Sequence, residues 1–139
     1  MSKKQVFRSW EVIKRKAGNP PVQLVTETEY KQKCHFGLGG YIGRANPKNG
    51  LICVRYNRPL EDIKETLWHE LLHCLFPSKP HWWIECAARR LSGHESYYGW
   101  PGRYSRRYAH TPEDLPGKSE LLQKVKKASR RLEELSRRK

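Results

Sequence analysis

The stretch Thr66-Leu67-Trp68-His69-Glu70-Leu71-Leu72-His73 decides how this chain is read. A helix turns once in 3.6 residues, so side chains four apart leave the same face. His69 and His73 therefore stand side by side, and two neutral imidazoles so placed make half of a tetrahedral zinc site. Glu70, next to the first histidine, can reach a water held there without ligating the metal, the arrangement of a zinc hydrolase. The flanking residues supply the helix this requires. Ile63, Leu67, Leu71 and Leu75 recur at helical spacing as a stripe for the core, whereas Asp62, Glu65, His69 and His73 form a separate polar stripe. The histidines are expected to face a cleft.

Downstream, Pro77-Ser78-Lys79-Pro80 must reverse the chain, because Pro80 suits a helix start and disfavours helical geometry at Lys79. A second helix is expected over His81 to Leu91, ending at Gly93. His81 and Glu85 share one of its faces. If the helices fold back about the middle of the turn, Ile84 to Ala88 lie opposite the two histidines and His81 lies opposite Phe76. Glu85 is then the better placed third ligand, and His81 is the alternative.

From Gly43 through Leu91 the chain resembles the zincin metallopeptidases, whose shared signature is matched by His69, Glu70 and His73. The strand ending in Leu51-Ile52-Cys53-Val54-Arg55-Tyr56-Asn57, the short acidic helix start and the histidine pair are similar to the minimal intracellular members, both small gluzincins and the SprT-like group. Likeness to gluzincins implies a glutamate ligand on the following helix with alanine three residues later, matched by Glu85 and Ala88. Likeness to the SprT-like group implies His81 instead, but that group has glycine after its third histidine and an aromatic four residues on, where this chain has Trp82 and Glu85. No glycine and third histidine follow His73 at the metzincin spacing, so that branch is excluded.

The resemblance implies one zinc per chain, held by His69, His73 and Glu85 or alternatively His81. It implies that Glu70 activates water for hydrolysis of peptide bonds in a protein or peptide substrate. Two other classes stand beside it: a SprT-like protease associated with nucleic acid, and a non-catalytic binding or regulatory module of the kind seen among IrrE-like relatives.

Toward the amino terminus, Val6, Phe7, Trp10, Ile13 and Ala17 make the apolar stripe of a first helix that stops at Gly18-Asn19-Pro20 and is expected behind the sheet. Val22 to Thr28 reads as a strand. Gly37-Leu38-Gly39-Gly40 reads as a flexible joint. Tyr41 to Ala45 and Leu51 to Tyr56 read as a hairpin closed by Asn46-Pro47-Lys48-Asn49-Gly50. This hairpin is the candidate edge for an extended substrate, which zincins bind by strand addition. Beyond the metal helices, Gly93 to His110 is rich in glycine, tyrosine and arginine and reads as an irregular loop holding a candidate oxyanion donor. Leu121, Val125, Ala128, Leu132 and Leu135 mark a basic amphipathic helix.

Composition bounds the rest. With 139 residues the chain is one domain, read as a zincin-like unit over 1–118 with a basic helix over 119–139 packed on it. The expected class is α+β, with a small, mainly antiparallel sheet. No apolar run suits a membrane span or a secretion signal, so an intracellular, cytoplasmic protein without a membrane partner is expected. Four cysteines, none paired at a two-residue interval, read as reduced and mostly buried. A net charge of +14 makes nucleic acid a possible partner through the basic surface.

Overall fold

The computed structural model describes residues 2–93 and 114–138. Its architecture is α+β, with five helices and a three-stranded sheet among the described residues. Helix α1 (Lys3–Lys16) opens on a reciprocal cap: Ser2 accepts from the Gln5 amide, and the Gln5 side chain accepts from the Ser2 amide. Val6, Trp10, Ile13 and Ala17 are buried, so the stripe read from the sequence is the core face. It packs against helix α3 (Leu60–Leu75), and its buried side chains share one core cluster with Leu24, Ile52 and Val54 of the sheet.

Strand β1 is only Gln23–Leu24, and the chain then enters helix α2 (Glu27–Cys34). The expected strand over Val22 to Thr28 is cut short because Thr26 caps a helix, its hydroxyl accepting from the Glu29 amide at 3.2 Å. Glu27 and Glu29 add negative charge to the first turn, where the helix dipole favours it.

Strands β2 (Gly43–Asn46) and β3 (Leu51–Val54) form the expected hairpin, pairing Gly43 with Val54 and Asn46 with Leu51. Gly50, at φ +63, supplies the left-handed residue that the return needs. Strand order is β1-β3-β2, with β1 parallel to β3 and β2 antiparallel to it. The sheet is therefore mixed, a correction to the mainly antiparallel expectation. The segment from β1 to β3 contains α2 and β2, a connection long enough to return the chain in parallel.

All four residues of β3 are buried because both sheet faces are covered. Ile52 and Val54 join the main core with α1 and α3, while Leu51 and Cys53 join Val25, Tyr30, Cys34 and Leu38 in a second cluster that includes α2. Helix α4 (His81–Ser92) starts directly after Pro80 and ends at Gly93, at φ +70, as the sequence indicates. It packs against α3. Helix α5 (Lys118–Arg137) lies on α3 and α4 and sends Leu121 and Val125 into the main core. All four cysteines are free, three of them buried. Among the described residues no helix is long and apolar enough to cross a membrane.

Candidate metal centre

Helix α3 buries Ile63, Leu67, Leu71 and Leu75 and turns its polar stripe into a cavity of about 580 Å³. That cavity is floored by Thr66, His69, Glu70 and His73. One wall is the lead into β2, including Tyr41 and Gly43, and the other is α4, through His81 and Glu85. Nε2 of His69 and Nε2 of His73 lie 3.0 Å apart. Two nitrogens bound to one tetrahedral zinc at bonds of about 2.0–2.1 Å sit roughly 3.3 Å apart, so the pair is close to ligating geometry.

The third histidine completes the set. Ligand atoms of His69, His73 and His81 all fall within 4.8 Å of one another, and the His69 and His81 rings are 4.7 Å apart at their centroids. This cluster could hold a metal ion. Glu85, the expected third ligand, touches two of these three histidines. One carboxylate oxygen is 3.3 Å from Nδ1 of His69, the ring nitrogen other than the one facing His73. The same oxygen is 3.8 Å from Nε2 of His81. Both the first turn of α4, through His81, and its middle, through Glu85, therefore reach the histidine pair.

A part-buried ionic network that the sequence reading missed surrounds the buried Glu85. Arg89 on the next turn approaches the other Glu85 oxygen at 3.5 Å and Glu65 of α3 at 3.7 Å. The signal was available: Glu65 stands four residues before His69, and Glu85 four before Arg89. Gly43 was missed as well. A β-carbon there would sit 2.8 Å from Cγ2 of Thr66 and 3.1 Å from both Oε2 of Glu70 and the Cys53 carbonyl. Only glycine lets β2 approach the glutamate so closely.

The electrostatics follow from burial. Burial pushes the Glu70 carboxyl up to about 7, against the opposing pull of His69 and Arg44. His73 is pushed down to about 4 by burial and by the neighbouring His69 and His81. His81 is lowered by burial and His69, with Glu85 pulling the other way. For His69 burial also lowers the value, but the hydrogen bond to Glu85 and the charges of Glu70, Glu85 and Glu65 outweigh it and raise the net result. The imidazoles of His73 and His81 are thus kept neutral with lone pairs available, whereas Glu85 and the neighbouring carboxylates favour the protonated ring of His69.

No protein-family model, curated protein or solved structure matches the chain. The site therefore rests on its own geometry. The expected oxyanion donor falls between Gly93 and His110, of which His94 to His110 lie outside the described residues.

Proposed function

We propose that this chain is a zinc-dependent peptide hydrolase whose metal is held by His69, His73 and His81. The observation that carries the reading is the convergence of three imidazoles beside the Glu70 carboxylate in one cavity. Three protein ligands leave a coordination position open, as catalytic zinc sites do and structural ones do not. All-imidazole donors suit zinc among the available first-row metals without requiring thiolates. Within the zincin resemblance this set favours the SprT-like arrangement, which uses a third histidine, over the gluzincin-like one.

Zinc at such a site supplies Lewis acidity toward water and toward a peptide carbonyl. The chain supplies the rest. Glu70 is buried and has a carboxyl whose pKa lies near neutrality, matched to accepting a proton from water and returning it to a leaving amine. Glu85 accepts from Nδ1–H of His69 and so fixes the tautomer that presents Nε2 to the metal. The wall formed by Gly43 and its neighbours lies over Glu70 and shields it from bulk solvent.

A degenerate peptide library incubated with zinc-loaded protein and read by mass spectrometry tests the reading. Wild type should generate new amino termini, and Glu70→Gln should lower the rate by about 100-fold or more while keeping its zinc. Equal cleavage by both proteins would refute the role given to Glu70.

A further inference from the structure

The sheet leaves one edge open beside the cavity. Strand β2 is an outer strand of the order β1-β3-β2, and Gly43, Arg44 and Ala45 line the cavity. The Arg55 amide donates to the Ile42 carbonyl, so Ile42, Arg44 and Asn46 are the residues whose backbone groups point to β3. Ile52, opposite Ala45, accordingly gives its carbonyl to the Val25 amide on the β1 side. Gly43 and Ala45 alternate with the paired residues, and their N–H and C=O groups point to the open edge. Side chains alternate across the sheet as well. Gly43 faces Glu70, whereas Arg44 faces the segment before the strand, where its Nη1 donates to the Gly37 carbonyl at 3.1 Å.

That segment, read from its glycines as a flexible joint, is held in place. Arg55 donates to the carbonyls of Gly39 and, at 2.9 Å, of Tyr41, and Leu38 is buried. The Arg44 guanidinium is fixed beside two rings, 4.1 Å from the centroid of Phe36 and 5.1 Å from that of Tyr41. A guanidinium stacked in this way keeps its in-plane donors for a further acceptor. Arg89, a cation of the opposite wall, is matched by Glu85 and Glu65. Arg44 lines the same cavity, yet among the described residues no carboxylate forms an ion pair with it. It is partly buried and already oriented, unlike the cations on the outer helix faces.

We propose that Arg44 selects a carboxylate side chain in a peptide laid along the open edge of β2. On a peptide paired through Gly43 and Ala45, the residue opposite Arg44 shares its face, with β-carbons about 4.5–5.5 Å apart. An opposite charge is favoured at that position, and a guanidinium can hold a carboxylate by two parallel hydrogen bonds. The peptide residue opposite Gly43 lies beside Glu70, so the selected Asp or Glu is its immediate neighbour. A large apolar residue suits the position less well, because the faces of Phe36 and Tyr41 nearest to it are already covered by the guanidinium. The inference rests on the hydrolase reading for the fate of the bound peptide, but the binding step itself needs no metal.

Fluorescence anisotropy on the full chain, kept metal-free with a chelator so that nothing is cleaved, tests it. The probes are labelled Thr-rich peptides blocked at both ends and differing in one central residue. Central Glu should bind about tenfold more tightly than central Gln, and central Lys more weakly than either. Arg44→Gln should abolish that difference, and Arg44→Glu should reverse it in favour of Lys. Arg55→Gln loosens the same segment and removes the same charge from outside the cavity, and it should keep the preference for Glu. Hydrogen exchange on the complex with the Glu peptide should protect the Gly43 and Ala45 amides. The proposal is overturned if Glu and Gln peptides bind alike, if Arg44→Gln keeps the preference, if Arg55→Gln removes it as fully, or if protection falls elsewhere. A Gln peptide with a free carboxy terminus that binds as tightly as the blocked Glu peptide would also overturn it, by assigning Arg44 to a chain end. The expected preference, found together with no cleavage of the Glu peptide by zinc-loaded wild type, would support this inference and count against the hydrolase reading alone.

Discussion

The Glu85 carboxylate lies 3.3 Å from Nδ1 of His69 and so backs the imidazole whose other nitrogen faces His73. A carboxylate in that position orients a metal-binding histidine and makes it a better donor, and its loss costs roughly 10–100-fold in metal affinity. Glu85→Gln should therefore weaken zinc binding by that order, measured by competition with a chelating dye. An unchanged affinity would show that His69 is oriented by something else.

Glu70 makes the stability of the metal-free protein depend on pH. Its carboxyl is raised from 4.5 to about 7, so the folded state holds this proton more tightly than the unfolded chain does. The stability tied to that proton is present below about pH 4.5 and is lost as pH rises through about 7. Glu70→Gln removes the ionisation. In chelator-treated samples unfolded by denaturant, the variant should gain on wild type across that window by up to about 3 kcal/mol. A difference independent of pH would mean that Glu70 does not titrate in a buried setting.

Gly43→Ala should cost about 1–3 kcal/mol, since the new methyl meets Thr66, Glu70 and the β3 backbone together. Thermal melts are sufficient to read it. Adding Thr66→Ser removes the nearest clashing carbon and should recover part of the loss; a Gly43→Ala protein that melts like wild type would show that the strand stands farther from α3.

Ser129→Ala should destabilise the fold by about 1–3 kcal/mol, because the Ala17 carbonyl at the end of α1 loses a buried 2.6 Å hydrogen bond. Urea titration would detect that change, and a midpoint shift near zero would mean that water replaces the hydroxyl.

Where one strong periodicity acted alone, the fold was legible. The stripe of Ile63, Leu67, Leu71 and Leu75, the Pro80 start and Gly93 stop of α4, and the hairpin closing at Gly50 all have local causes written in consecutive residues. Helix α2 was missed because its apolar residues, Tyr30 and Cys34, are too few to make a periodic stripe; its signal was the Thr26 to Glu29 cap. The parallel pairing of β1 is set by contacts distant in sequence, which no local pattern encodes. At the site, His69, Glu70 and His73 follow from helix periodicity. The choice between His81 and Glu85 turns on where α4 crosses α3. Counting outward from the middle of the turn treats the helices as parallel rods in register, whereas a displacement of one helical turn decides which of two residues four apart stands as the proposed ligand.

The proposed assignment of His81 as third ligand is the centre of the account, and zinc content tests it most directly. Wild type, His81→Ala and Glu85→Ala, purified untagged without chelator, would be loaded with zinc, dialysed and measured by elemental mass spectrometry. The account expects close to one zinc per wild-type chain, little or none in His81→Ala, and zinc retained but more easily stripped in Glu85→Ala. Zinc kept by His81→Ala and lost by Glu85→Ala would restore the glutamate as third ligand, and a wild type that takes up no zinc would contradict the metal centre itself.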